Sequence, residues 1–185
     1  MLYTKAGDDG STKLFACDQR LSKSTAIAEA LGTVDEINSL LGLCKVKASD
    51  LGLKITSLNE DVGQILEQVQ QGLFIVQAEL AGAPKSMSEE KVVWLEKITD
   101  SIEKELPPIK TFFVSGGTEL AALFDFARTI ARRAERRVVG VAEEKPDSLQ
   151  PATLAFMNRL SSILYALARY SNFQAGVSEP TPTYK

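Results

Sequence analysis

The sequence contains no histidine among its 185 residues. A Ser-His-Asp triad and a Cys-His nucleophile pair are therefore excluded. So is a di-iron bundle whose metal ligands come from Glu-x-x-His motifs. If the chain performs chemistry, its side chains must act by positioning and by charge, or the substrate must itself be reactive.

Cysteine is scarce, and long apolar runs are lacking. The two cysteines, Cys17 and Cys44, form neither a CxxC pair nor a zinc-binding spacing, which is typical of a reducing compartment. The N-terminal stretch MLYTKAGDDG lacks the apolar core of a signal peptide. No stretch approaches the ~20 apolar residues that span a bilayer. We therefore expect a cytoplasmic protein without a membrane partner.

Excess positive charge is lacking too, since the formal net charge is -3 and the pI is about 5.2. Proteins that bind nucleic acid usually carry a positive balance, so nucleic acid is disfavoured as a partner. Hydrophobic residues make up 44% of the chain, enough for one core. The length suits a single domain, residues 1–185.

Apolar residues recur at three- and four-residue steps in successive segments, which predicts four or five helices joined by short loops and therefore an all-α bundle. The first helix starts at Ser24, or at Thr33 if Thr33 and Glu36 form a capping box. The others are predicted over about 57–81, 88–106, 118–143 and 150–173. Lys13–Phe15 is the one candidate strand. Residues 1–24 are predicted to form a Gly-rich loop, about 25–174 the bundle, and 175–185 a mobile tail.

The polar N-terminal segment TKAGDDGST, residues 4–12, combines two glycines with groups that bind phosphate. Gly7 and Gly10 let the backbone approach a ligand closely. Backbone amides, the Lys5 ammonium and the nearby hydroxyls are phosphate donors. The spacing is not that of a Walker A loop. Two interpretations stay open here: a phosphate-binding loop, or a polar arm with a glycine turn.

An arginine-rich run, ARTIARRAERRVV, occupies the fourth predicted helix. At ~100° per residue, Arg128, Arg132 and Glu135 fall within about 60° of one another, beside the apolar stripe. This position predicts a charged strip tucked into a cleft or an interface. A solvated or salt-bridged helix face is the alternative. Arg133 and Arg137 project elsewhere and are expected to be solvated.

Two more segments carry candidate ligand contacts. Asn158 lies on one side of the fifth helix, in a polar row that runs on to Arg169. That row is either a binding side or an exposed face. The segment FFVSGGTE places Phe112 and Phe113 before a Gly-Gly turn. Taken alone, these two aromatics are expected to anchor the core.

These segments occur together in a characteristic order. TKAGDDGST, RLSK…EALGTVDEINSLLG, FFVSGGTE…ARTIARRAERRVV and NRLS resemble the PduO-type ATP:cob(I)alamin adenosyltransferase family, over about residues 3–172. The resemblance implies a ferritin-like, cobalamin adenosyltransferase-like five-helix bundle that assembles as a homotrimer. It also implies an ATP site between neighbouring subunits.

The resemblance also implies an ATP site residue by residue. The triphosphate would be wrapped by the N-terminal residues Thr4, Lys5, Gly7, Asp8, Gly10, Ser11 and Thr12, with Lys23 as a basic phosphate contact. The arginine-rich run and the fifth helix would supply Arg132, Glu135, Arg136 and Asn158. Arg132 would be the main charge clamp. No metal ligand is implied among the side chains, and Mg²⁺ is expected on ATP.

Three further residues resemble catalytic parts of the family's site. Asp35 and Arg128 are similar to a pair that meets across the subunit interface. Phe112 is similar to the aromatic that occupies the lower face of the corrin and displaces its axial base. Ser115 departs from the family pattern, because many relatives have a proline there.

The implied activity is transfer of the 5′-deoxyadenosyl group of ATP to the cobalt of cob(I)alamin, giving adenosylcobalamin and triphosphate. A reductase and an adenosylcobalamin-dependent enzyme are the implied partners. The alternative is a non-catalytic trimeric helical bundle that binds or senses a nucleotide. Such a protein would keep the Gly-rich loop and the arginine-rich run but would need no pocket at Phe112.

Overall fold

The computed structural model describes residues 3–15 and 18–184. Within these residues the chain forms five α-helices, which confirms the predicted all-α five-helix bundle. They are α1 Ala26–Asp50, α2 Val62–Leu80, α3 Glu89–Glu105, α4 Glu119–Glu144 and α5 Pro151–Gln174.

Helix α4 packs against both α1 and α5, while α2 lies against α1 and α3 lies against α5. The apolar stripe of each helix forms one shared core, in which Phe124 and Phe156 are fully buried. The Phe156 ring lies over Gly72 so closely that a Cβ there would be 2.4 Å from the ring. Glycine at this position therefore leaves room for the Phe156 ring of α5 to pack against the backbone of α2.

The starts of the last two helices follow their sequence signals. The Thr118 hydroxyl caps α4 by accepting the Ala121 N–H at 3.1 Å. Pro151 occupies the first turn of α5, where its missing N–H costs nothing. Both predictions are confirmed.

The starts of α1 and α2 differ from the sequence predictions. Helix α1 begins at Ala26, and Thr33 lies inside it. The Thr33 hydroxyl donates to the Glu29 and Ala30 carbonyls at 3.0 Å, so it forms no capping box with Glu36. Helix α2 begins at Val62, five residues later than expected, with the Asp61 carboxylate accepting the Gln64 N–H.

Two short hairpins were missed in the sequence. Strand β1, Ser11–Lys13, pairs with β2, Arg20–Ser22, so the candidate strand at Lys13–Phe15 was placed two residues too late. Strand β3, Lys54–Ile55, pairs with β4, Glu60–Asp61, and so delays the start of α2. Strands of two or three residues are too short to show an alternating pattern.

A buried carboxylate on α2 caps α5. Glu79 is 8% exposed. It accepts the Gln150 N–H at 2.6 Å and the Thr153 hydroxyl. The Gln150 N–H stands at the start of α5, where no carbonyl of the same helix can accept it. Glu79 therefore fixes the end of α5 against α2.

The Tyr170 hydroxyl joins three parts of the chain. It lies 3.0 Å from both the Lys54 carbonyl and Glu105 Oε2, and accepts the Thr56 N–H at 3.0 Å. Glu105 also accepts the Ser57 N–H at 2.7 Å. Although burial raises the pKa of Glu105, the hydrogen bonds from Ser57, Tyr170 and Thr56 outweigh it, and the net pKa is lowered.

The C-terminal residues return to the bundle. The Val114 N–H donates to the Pro180 carbonyl at 2.8 Å, and Glu179 pairs with Arg169 at 3.1 Å. The mobility expected of residues 175–185 stays a prediction. None of the described helices is long and apolar enough to cross a membrane.

Candidate active site

A large cavity lies between the loop that precedes α4 and the facing sides of α4 and α5. It has a volume of about 610 Å³. Its lining consists of loop residues Ile109, Lys110, Thr111, Phe112, Phe113, Val114 and Ser115, together with Asp125, Arg128, Arg132, Ser161, Ser162, Tyr165, Ala168, Arg169 and Glu179. A cavity of this size is suited to a large ligand with apolar and polar parts.

Phe112 lies on the loop side of this cavity with 77% of its surface exposed. The expectation that it anchors the core is therefore wrong. Phe113 is half-buried, and the Arg169 guanidinium lies 4.9 Å from its ring centroid. The second aromatic thus fixes the loop while the first is presented to the cavity.

Arg132 contributes an open positive charge to the opposite side. Its side chain is exposed and has no hydrogen-bond or ion-pair partner among residues 3–15 and 18–184, while its carbonyl accepts a bond from Arg136 at 3.0 Å. An unpaired guanidinium beside a cavity is suited to bind an anion such as a phosphate.

Arg128 lies deeper in the cavity wall. Its guanidinium is 5.9 Å from the Tyr165 ring centroid, and its Nε is 3.6 Å from Asp125 Oδ1. This buried Nε has no hydrogen-bond partner in the described part of the chain. Asp35 lies exposed on α1, and the structure does not bring it together with Arg128 within one chain.

Glu135 of α4 and Asn158 of α5 are in direct contact. The Asn158 amide donates to Glu135 Oε1 at 2.7 Å, and its oxygen accepts a bond from Arg159 at 2.6 Å. Arg159 in turn pairs with Glu96 at 2.7 Å. The Asn158 side chain is therefore held in a defined orientation beside the arginine-rich face of α4.

The outward arginines of α4 are paired with α1. Arg133 pairs with Glu36, and Arg137 lies 3.9 Å from Glu29. Both side chains are exposed, as expected of solvated arginines, and they also lie beside glutamates of α1, which runs antiparallel to α4. Such exposed pairs contribute little to stability.

The N-terminal segment is folded back on itself. Lys23 Nζ donates to the Gly7 carbonyl at 2.8 Å. Lys5 and Gly10 have positive φ values, 60° and 79°, so the backbone turns sharply at both. The remaining predicted contacts of this segment, Thr4, Asp8, Ser11 and Thr12, are exposed or half-buried around these turns.

Two residues of this segment were missed in the sequence. The Ser11 hydroxyl and amide donate to Asp9 Oδ1 at 2.6 and 2.9 Å. These bonds, together with the charge of Arg20, hold the pKa of Asp9 below its ordinary value. Arg20 also donates to the Ala6 and Ser11 carbonyls. The basic residues of RLSK were the available sequence signal. The hairpin that brings Arg20 beside Asp9 and Ser11 could not be predicted from the sequence.

The two halves of the predicted site are separate in one chain. No described residue before α1 lines the large cavity, whereas Arg128 and Arg132 do. The N-terminal segment instead lies towards the other end of the bundle, where Leu14 borders a small cavity with Leu149.

The described residues contain neither a cluster of metal-binding side chains nor a thiol with a lowered pKa. Within 3–15 and 18–184, no group of three or more Cys, Asp or Glu side chains could hold a metal ion. Burial raises the pKa of the Cys44 thiol to about 11, so it stays protonated and unreactive. Cys17 lies outside the described residues.

Similarity to known proteins covers nearly the whole chain. Residues 2–171 match the family described as cobalamin adenosyltransferase. The chain is 40% identical over 181 residues to the corrinoid adenosyltransferase PduO of Citrobacter freundii, covering 94% of this chain and 50% of that protein. It is 37% identical over 183 residues to the corrinoid adenosyltransferase of Bacillus subtilis, covering 96% and 90%. The chain thus spans about half the length of the Citrobacter protein.

Solved structures give the same relationship. A variant PduO-type ATP:corrinoid adenosyltransferase from Lactobacillus reuteri, complexed with cobalamin and ATP, is 34% identical with a TM-score of 0.86, covering 98% of this chain and 99% of that one. A second variant, complexed with ATP, has a TM-score of 0.85 over 98% and 100% of the two chains. The sequence and the fold agree, and the chain belongs to the cobalamin adenosyltransferase family.

Proposed function

We propose that this protein transfers the 5′-deoxyadenosyl group of ATP to the cobalt of cob(I)alamin, giving adenosylcobalamin and triphosphate. One observation carries the proposal: a single cavity presents the exposed Phe112 ring on one side and the unpaired Arg132 guanidinium on the other. An apolar ring suits the face of a corrin, and a free guanidinium suits a phosphate chain. The family membership supports the same reaction class.

The reaction needs no protein base. Cob(I)alamin carries a reactive electron pair on cobalt, which attacks C5′ of the ATP ribose and forms the cobalt–carbon bond. The C5′–O bond breaks, and triphosphate leaves with its electron pair. No proton has to be removed, which is compatible with a chain without histidine.

Stabilising the leaving triphosphate is then the main task of the side chains. Lys5, Lys23 and Arg132 would neutralise the charge that develops on it. Glu135, held by Asn158, lies one helical turn from Arg132 and would orient the nucleotide with Arg136. We place Mg²⁺ on the ATP phosphates, where it would supply further neutralising charge.

Phe112 would act in the preceding step, when a one-electron reductant converts Co(II) to Co(I). An apolar ring against the lower face of the corrin would exclude water and the axial base from cobalt. Removing that ligand makes Co(I) easier to form. We expect a reductase to deliver the electron in the cytoplasm, where conditions are reducing, and an adenosylcobalamin-dependent enzyme to use the product.

We further propose that the complete site forms between subunits of a homotrimer. The N-terminal residues Thr4, Lys5, Gly7, Asp8, Gly10, Ser11 and Thr12 would bind the triphosphate together with a neighbouring subunit's Arg132 face. One observation supports this arrangement: the separation of the two halves within one chain. The Nε of Arg128 is buried within the chain, so a second subunit would reach the exposed outer end of this guanidinium. Asp35 of a second copy, exposed and unpaired among the described residues, would complete Arg128.

The proposed reaction can be tested directly. The purified protein is incubated anaerobically with MgATP and chemically reduced cobalamin, and the absorbance spectrum is followed for adenosylcobalamin. We expect enzyme-dependent product with one triphosphate released per turnover. ATP binding by folded protein without any product would instead favour the non-catalytic nucleotide-binding bundle.

A further inference from the structure

The peptide of Gly116 is held from two helices at once. Its N–H donates to Asp125 Oδ2 of α4 at 3.2 Å, and its carbonyl accepts the Asn172 amide of α5 at 2.8 Å. The Asn172 oxygen also accepts the Thr118 N–H at 2.9 Å. Asn172 is only 4% exposed, so its bonds are shielded from water and costly to lose.

The chain next to this peptide is shaped to admit the Asn172 side chain. Gly116 and Gly117 have φ values of 127° and 97°, which side chains with a Cβ rarely adopt. A Cβ on Gly117 would lie 2.3 Å from Asn172 Oδ1. The Gly-Gly turn therefore makes room for the buried side-chain amide of Asn172, in addition to leading the chain into α4.

This clamp lies at the base of the loop that presents Phe112. Between Gly116 and Phe112 there are three residues, and Val114 is tied to the Pro180 carbonyl at 2.8 Å. Since Phe112 is itself exposed, its place over the cavity depends on how the loop is fixed at its base. Releasing the Gly116 peptide would leave the loop held only by the contacts of Phe113 and Val114, and the ring would then have a wider range of positions.

Asn172 does not line the cavity, whereas Asp125 does. An effect of Asn172 on the reaction must therefore pass through the loop and cannot come from contact with the corrinoid. Asp125 carries a second link, because its other oxygen faces Arg128 Nε at 3.6 Å. The Asp125 carboxylate therefore contacts both the base of the loop and Arg128, whose Nε has no hydrogen-bond partner in the described part of the chain.

We propose that Asn172 and Asp125 are positioning residues that clamp the Gly116 peptide and so set Phe112 against the corrinoid. The inference rests on the proposed function. On this proposal the clamp affects the reduction of Co(II) to Co(I), the step in which Phe112 excludes the axial ligand. ATP binding does not depend on the clamp. Loss of the clamp should therefore resemble loss of the Phe112 ring.

Asn172→Asp is a sharp test while its carboxylate is ionised, because it keeps the shape and the acceptor for Thr118 but turns an oxygen without a proton towards the Gly116 carbonyl. We expect turnover from cob(II)alamin with a one-electron reductant to fall about tenfold. With chemically prepared cob(I)alamin the loss should stay below about threefold, and the KM for ATP should stay within about twofold. Gln174→Ala, an exposed change on the same helix, is the matched control.

Asp125 gives an independent pair of variants if Asn172→Asp does not fold. Asp125→Ala removes the acceptor for Gly116 and should show the same split between the two assays. Asp125→Asn keeps an acceptor oxygen and should restore most of the cob(II)alamin turnover. Amide exchange of residues 106–117 should speed up in Asp125→Ala and Asn172→Asp even without cobalamin.

The outcomes separate the inference from the proposed function. The clamp proposal would be wrong if the variants lost equal turnover from cob(II)alamin and from cob(I)alamin. It would also be wrong if they matched the wild type in both turnover and amide exchange. Either result would leave the proposed reaction in place. A wild-type protein that makes no adenosylcobalamin from cob(I)alamin would overturn the function, and with it the assignment of the clamp to cobalt reduction.

Discussion

The carboxylate of Glu79 on α2 accepts the backbone N–H of Gln150 at 2.6 Å, so one helix caps the start of another. The same carboxylate holds the Thr153 hydroxyl. Because Glu79 is buried, its removal would leave two polar groups without partners and away from water. The stability of the bundle therefore depends on a contact between residues that are distant in sequence.

We expect Glu79→Ala to lower the free energy of unfolding by about 1–3 kcal/mol, the cost of leaving buried donors unpaired. Urea denaturation followed by circular dichroism measures this change. Glu67→Ala, an exposed position on the same helix, is the control and should change stability by less than about 0.5 kcal/mol. Equal effects of the two substitutions would show that the cap adds nothing.

Glu105 should make stability depend on pH. Hydrogen bonds from Ser57, Tyr170 and Thr56 outweigh the effect of burial and lower its folded pKa below the ordinary value of 4.5. The unfolded chain therefore binds the proton more readily, and stability rises with pH across this window. The contribution is complete above the unfolded pKa and is lost as pH falls through the folded pKa.

Glu105→Gln should remove this dependence. We expect unfolding measured at several pH values from about 6 down to about 3 to show a flatter acid decline for the variant than for the wild type. Glu103→Gln, at an exposed position on the same helix, should leave the wild-type slope unchanged. A variant with the wild-type slope would mean that other carboxylates account for the acid response.

The sequence predicted the helices well where an apolar stripe is long and a cap is local. Thr118 and Pro151 marked the starts of α4 and α5 because both act within one helical turn. The starts of α1 and α2 were missed because hairpins of two or three residues, and not caps, determine where those helices can begin. Short pairings of this kind depend on contacts that no periodicity reveals.

The candidate site was predictable only in part for a similar reason. Glu135 and Asn158 follow helical periodicity, and the structure brings them into contact. Phe112 looked like a core residue, since nothing local shows that its loop turns outward over a cavity. Asn172 and Asp125 were missed because each binds a backbone group of the loop before α4, and such a bond leaves no mark on side-chain spacing.

Arg132 should be required for turnover, because its unpaired guanidinium is the open cation that faces the cavity from α4. We expect Arg132→Ala to lower kcat/KM by about 100-fold or more and to weaken ATP binding. Calorimetry with ATP and the anaerobic spectral assay measure the two effects. Arg133→Ala, which removes an arginine paired with Glu36 outside the cavity, should behave nearly as the wild type. Turnover of Arg132→Ala near the wild-type rate would remove it from the site.

Phe112 should matter most when cobalt has to be reduced. Its ring is 77% exposed and lines the cavity, so its loss leaves the core intact. We expect Phe112→Ala to keep the wild-type melting temperature and to slow turnover from cob(II)alamin by at least about tenfold, with a milder loss when cob(I)alamin is supplied. Phe74→Ala, at an exposed aromatic on α2 outside the cavity lining, should change neither rate. If Phe112→Ala loses equal turnover from cob(II)alamin and from cob(I)alamin, the ring only supports the loop. The proposal that Phe112 excludes the axial ligand would then be wrong, and so would the assignment of the Gly116 clamp to cobalt reduction.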